Sequence, residues 1–151
     1  GNVVPMTPGR PPSERAPDPL EASFVAALIR MPRLLAKDEH RVHDELSHPG
    51  LRSVIHHVAT GRTPEDALYE ATETLKIALE RASRQLPADD EDLERFFVAV
   101  CRRLTLRRVD EQLAYIAKVT GRLQGASDLT EETRRLIEQR VELLELKKKL
   151  L

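Results

Sequence analysis

The last third of the chain, residues 106–151, carries two runs of helical periodicity separated by one turn signal, and this pattern limits the fold more than any other feature. Leu106, Val109, Leu113, Ile116, Thr120 and Leu123 recur three and four residues apart, so they line one stripe of a helix. Gly125-Ala126-Ser127-Asp128 reads as a turn. Thr130 then opens a second run, in which Leu129, Leu136, Leu143 and Leu150 recur every seven residues beside Ile137, Leu144 and Leu151. A short connection makes such helices antiparallel neighbours, so a helical hairpin is expected. It offers no His and no Cys. Its adjacent apolar pairs, with Val141 and Leu146, cover more of the helix than one neighbour needs, which leaves surface for another protein.

The rest of the chain is expected to be helical too. With three Phe, two Tyr and no Trp, the core must be built from Leu, Val, Ile and Ala, and 32% charged residues with only six Gly suit helices better than strands. The fold class is therefore all-α: a helical bundle, then a C-terminal antiparallel hairpin, joined by a long helix. A formal net charge of −1 gives no global field to recruit nucleic acid or an acidic membrane. No apolar run approaches the ~20 residues that span a bilayer. One cysteine, Cys101, excludes an intramolecular disulfide and any cysteine-rich zinc site, which fits a reducing, cytoplasmic setting.

Residues 1–18 hold five of the ten prolines and read as a disordered linker. The chain begins with Gly, not Met, which suggests a piece of a larger protein. The bundle is expected over residues 19–104 and the hairpin over residues 105–151. Asp18 and Pro19 start a first helix carrying Leu20, Phe24, Ala27, Leu28 and Met31, and Pro32 ends it. A short turn at residues 33–36 and a possible helix over residues 37–46 follow. Pro49 then opens a helix with Leu51, Val54, Ile55 and Val58, closed by Gly61. Thr63 and Pro64 start another, expected to run unbroken to about Leu86. Asp89, Asp90, Glu91 and Asp92 favour the N-terminus of the long helix. Its first stripe, Phe96, Phe97, Val100, Cys101 and Leu104, does not continue in phase into the one starting at Leu106. A change of face is predicted near Thr105.

Little of this points to catalysis. His40 and His43 stand one turn apart and, with Asp44, are the nearest approach to a metal set, but the spacing matches no metal signature, so solvated or capping histidines are expected. Cys101 sits on an apolar face with no base beside it, and no phosphate-cradling glycine loop is present. No cofactor is expected. One basic cluster, Arg102, Arg103, Arg107 and Arg108, suits phosphates or an acidic protein surface, although Asp110 and Glu111 offer nearby partners.

Taken in order, these motifs resemble a family. Phe24-Val25-Ala26-Ala27-Leu28-Ile29-Arg30-Met31-Pro32-Arg33-Leu34-Leu35, then Ser47-His48-Pro49-Gly50-Leu51-Arg52-Ser53-Val54, and finally the closing hairpin with Leu136, Val141, Leu143, Leu144, Leu146 and Lys147 to Leu150 are similar to the C-terminal, helicase-interacting domain of bacterial replicative DNA primase. The resemblance covers residues 19–151. It implies a bundle and hairpin without catalytic residues, whose hairpin docks on the N-terminal domain of the hexameric replicative helicase. Primer synthesis would belong to another domain. His40 to His48 and Arg102 to Arg108 do not map onto the family.

Under that resemblance the final helix is expected to carry the helicase contact on the side turned away from Leu113 and Ile116. Leu146 is the expected anchor, with Arg135, Gln139, Glu142 and Lys149 as its polar rim, Leu150 beside it, and Arg107 and Arg108 steering the partner. An isolated monomer is expected. Two other readings stay open: the N-terminal domain of a replicative helicase, and a homodimeric helical adaptor whose last helix pairs with its own copy.

Overall fold

A computed structural model describes residues 15–122 and 130–151. Every regular element among them is helical: α1 (Pro19–Arg30), α2 (Pro49–Ala59), α3 (Pro64–Tyr69), α4 (Glu73–Gln85), α5 (Asp90–Arg122) and α6 (Glu131–Leu150), with short 3₁₀ turns at Pro32–Lys37 and Val42–Asp44. The all-α class read from the sequence is thus what the chain adopts. The chain divides into two compact units, Gly1–Cys101 and Arg102–Leu151.

In the first unit α1 is the central helix. Asp18 caps it, its carboxylate accepting from the Glu21 N–H at 3.1 Å, and Pro19 occupies the first turn where its missing N–H costs nothing. Phe24, Val25, Ala26, Ala27 and Leu28 are all buried, so this stretch is covered on every side, by α2 and α4 among others. Phe24 stacks on Phe97 of α5 with ring centroids 5.2 Å apart. Arg30 reaches across to the end of α4, donating to the carbonyls of Ser83 at 2.8 Å and Pro87 at 2.9 Å. The Ser83 carbonyl also accepts from the Leu86 N–H at 3.2 Å, and Pro87 lies just beyond the helix, so Arg30 ties α1 to the turn that ends α4.

Three expectations are corrected here. Residues 37–46 form no helix beyond the Val42–Asp44 turn. The buried Asp38 carboxylate accepts from the N–H groups of Val42 at 2.9 Å and His43 at 3.0 Å and from His43 Nδ1 at 2.6 Å, which winds the loop around one side chain. Arg41 takes a left-handed φ of 53° to let it close. A side chain that gathers backbone donors in this way competes with a helix for them.

The helix expected from Pro64 to about Leu86 is two helices, α3 and α4, broken after Tyr69. Thr63 caps the first, accepting from the Asp66 N–H, and Thr72, with extended backbone, caps the second by accepting from the Leu75 N–H at 3.3 Å. Mid-helix, Thr72 has no such donor to accept, and that preference divides the run.

The third correction concerns the end of the expected linker. Arg15 to Asp18 are a strap on the first unit: Pro17 is buried, and buried His48 donates from Nε2 to the Arg15 carbonyl at 2.7 Å while its Nδ1 accepts from the Gly50 N–H at 3.0 Å. Nearby, buried Glu21 accepts from the Ser47 N–H at 2.8 Å and from the Ser47 hydroxyl. The remainder of the expected linker, residues 1–14, lies outside the described residues.

Asp89 caps α5, its carboxylate accepting from the N–H groups of Glu91 and Asp92. The buried positions of this 33-residue helix run Leu93, Phe97, Val100, Cys101 and Leu104, then Thr105, Val109 and Ile116. At ~100° per residue the second group is turned by about a quarter to a third of a revolution from the first. Thr105, fully buried, starts the new face, and Leu106 is only half-buried beside it.

Candidate protein-binding surface

The second unit consists of the rest of α5 with α6. The Thr130 hydroxyl caps α6 by accepting from the Thr133 N–H at 3.2 Å, Glu131 and Glu132 fill the first turn, and Lys147, Lys148 and Lys149 fill the last. Both ends therefore carry the charges that complement the helix dipole. Lys147 Nζ lies 2.8 Å from Asp110 Oδ1 and tethers the last turns of α6 to α5, which is where an antiparallel return would bring it. The turn expected at residues 125–128, and Leu129, lie outside the described residues.

Thr133 and Leu150 are buried, and Leu136, Leu143, Leu146 and Lys147 are half-buried, so these positions form the inner side of α6. The adjacent set points away: Ile137 is 45% exposed, Val141 54%, Leu144 37% and Leu151 82%. The pairs Leu136/Ile137, Leu143/Leu144 and Leu150/Leu151 thus separate into an inward first member and an outward second one.

Of the residues expected to form the partner contact, Arg135, Gln139, Glu142, Leu146 and Lys149 recur three and four residues apart along one stripe of α6, with Leu150 at its margin and Arg107 and Arg108 on α5. Arg135, Gln139, Glu142 and Lys149 are exposed, and Arg135 is paired with Glu131 at 3.2 Å. Leu146, their expected anchor, is half-buried at the margin of the inner side, and Leu150 is buried there. Leu150 thus packs within the second unit. Arg107 is exposed and Arg108 half-buried, both on α5. What sequence reasoning missed is the outward stripe of Ile137, Val141 and Leu144. The doubled apolar pattern announced two faces, but choosing which turned inward needed the tether at Lys147 and the burial of Thr133.

Elsewhere His43, His48 and Cys101 have structural roles in the fold. Among the described residues no group of three or more His, Cys, Asp or Glu is placed to hold a metal. His43 donates to Asp38, His48 caps α2 and holds the strap, and His57 Nδ1 donates to the Ser53 carbonyl at 2.9 Å. Burial first, and then the negative charge of Asp38, push the Cys101 thiol up to about 12, so it stays protonated and is a poor nucleophile. No helix among the described residues is long and apolar enough to cross a membrane.

An all-α chain with two compact units and an aliphatic stripe left on its last helix belongs to the class of small helical modules. Along its whole length it is similar to a DNA primase from Myxococcus xanthus, 48% identical over 153 aligned positions, and it spans 25% of that protein. The chain thus matches part of a DNA primase, the enzyme whose C-terminal domain its motifs resemble. No protein-family model matches the chain, and no solved structure does.

Proposed function

We propose that this chain is the helicase-interaction domain of a DNA primase, docking through its second unit on the N-terminal domain of a hexameric replicative helicase during priming. The observation that carries the reading is the end-to-end similarity to a quarter of a DNA primase, which is what a separate module of such an enzyme looks like. Two further features support it: the order of the leucine-rich, Pro49-started and lysine-ended helices, and an exposed aliphatic stripe on α6 of the kind that contacts proteins. The similarity to a primase also favours this reading over that of a helicase domain.

In this reading the first unit modulates the helicase and primer synthesis belongs elsewhere in the parent enzyme. Purified residues 1–151 are expected to retain the cognate replicative helicase in a pull-down and to make no RNA on a primed or unprimed template. Failure to retain the helicase at low ionic strength would overturn the proposal, and template-dependent RNA synthesis by the isolated chain would overturn its division of labour.

A further inference from the structure

Positions 134, 137, 141, 144 and 148 recur three and four residues apart and share one stripe of α6, and position 151 follows at the same spacing just past its end. In order they are Arg134, Ile137, Val141, Leu144, Lys148 and Leu151. Single exposed apolar residues are ordinary on a protein surface. Here Ile137, Val141 and Leu144 stand together on one helix, with Leu151 just past its end, all more than a third exposed. The central run from Ile137 to Leu144 is ~10 Å long, two turns of helix, with Arg134 before it and Lys148 after it. Glu131, Glu138 and Glu145 line one flank, and Thr133, Arg140 and Lys147 line the other.

This pattern discriminates between occupants. In a parallel pair with a second copy, Arg134 would face Arg134 and Lys148 would face Lys148 within the seam, a repulsion that one attractive Arg140–Glu145 pair on each flank does not offset. In an antiparallel pair the glutamate flank would face glutamate and the basic flank would face base, with Arg134 and Lys148 set against Leu151 and Ile137. Both self-pairings are disfavoured, and Lys147 is already engaged by Asp110.

We infer that Ile137, Val141 and Leu144, extended by Leu151, are the docking stripe of α6, and that its occupant is an amphipathic partner helix whose apolar stripe is bounded by carboxylates facing Arg134 and Lys148. Basic side chains of that helix lie along Glu138 and Glu145. The inference rests on the proposed helicase interaction and moves its centre from Leu146 to Val141. Electrostatic complementarity of this kind selects the partner and its register, and the apolar centre holds it.

The test titrates the full chain with the N-terminal domain of the cognate helicase and follows each variant by circular dichroism. Val141→Ser with Leu144→Ser is expected to weaken binding at least tenfold, with helicity and melting temperature close to those of the parent. Arg134→Glu with Lys148→Glu, which touches only exposed charges, is expected to weaken it as well, by a factor that shrinks as salt is raised. If the parent chain binds and both double variants bind as it does, the docking stripe is wrong and the helicase reading stands. If the parent chain does not bind, both fall. A concentration-dependent dimer of the parent chain that the Val141/Leu144 variant abolishes would assign the stripe to a second copy and overturn the inference.

Discussion

Asp38 organises its loop through one side chain: its fully buried carboxylate satisfies two backbone N–H groups and the His43 ring. Asp38→Ala would leave those donors buried without an acceptor, and a loss of about 2–4 kcal/mol is expected in denaturant unfolding. Gly50 shows a different constraint. A Cβ there would meet Leu75 Cδ2 at 2.8 Å and the His48 ring at 3.0 Å, and both neighbours are themselves buried. The gain in helix propensity of up to ~1 kcal/mol is therefore offset by overpacking of about 1–3 kcal/mol, so Gly50→Ala is expected to lower the melting temperature. Cys101 is buried and its thiol pushed up to about 12, so it should resist iodoacetamide at neutral pH in the folded chain and react once the chain is unfolded. Rapid native labelling would contradict that account. None of these roles was legible in the sequence beyond the apolar setting of Cys101. A buried carboxylate hub looks the same as a surface aspartate until the fold closes over it.

At the scale of elements, helix starts were the most legible feature. Asp18 and Thr63 cap where the sequence implied, and Asp89 and Thr130 cap helices whose starts were expected beside them, because a capping oxygen acts on N–H groups two or three residues away and needs no tertiary context. Interruptions were harder. Thr72 falls inside a run whose apolar residues keep helical spacing on both sides of it, and the sequence does not show that its hydroxyl caps a new helix. The change of face in α5 was visible because its cause, an apolar pattern out of phase, is itself a property of the sequence, yet the residue that starts the new face is Thr105 and not Leu106. For α6 the doubled pattern left two faces equivalent, and the structure turns Leu136, Leu143 and Leu150 inward. Leu150→Ala is accordingly expected to destabilise the second unit by about 2 kcal/mol or more. Leu146→Asp, which the sequence alone would place on an outer face, should now loosen α6 as well, since it sets a charge at the margin of that inner side. Unchanged thermal unfolding of Leu146→Asp would restore Leu146 to the outer surface.

For the molecule as a whole, the strap ties residues 15–18 to the first unit. Removing residues 1–14 is expected to leave the melting temperature within a few degrees. Removing residues 1–18 takes away the Asp18 cap, the buried Pro17 and the carbonyl that His48 binds, and should cost about 2 kcal/mol or more. Equal stability of the two truncations would show that the strap contributes nothing. The two units divide the proposed work, the first holding a dense aliphatic core around α1 and the second presenting an exposed stripe. The most direct measurement of the central claim is a calorimetric titration of residues 15–151 into the isolated N-terminal domain of the cognate replicative helicase. Saturable binding that survives truncation to residue 15 and weakens at least tenfold in Val141→Ser with Leu144→Ser is the expected result. The absence of any heat of binding at low ionic strength, from a chain shown by circular dichroism to be folded, would contradict it.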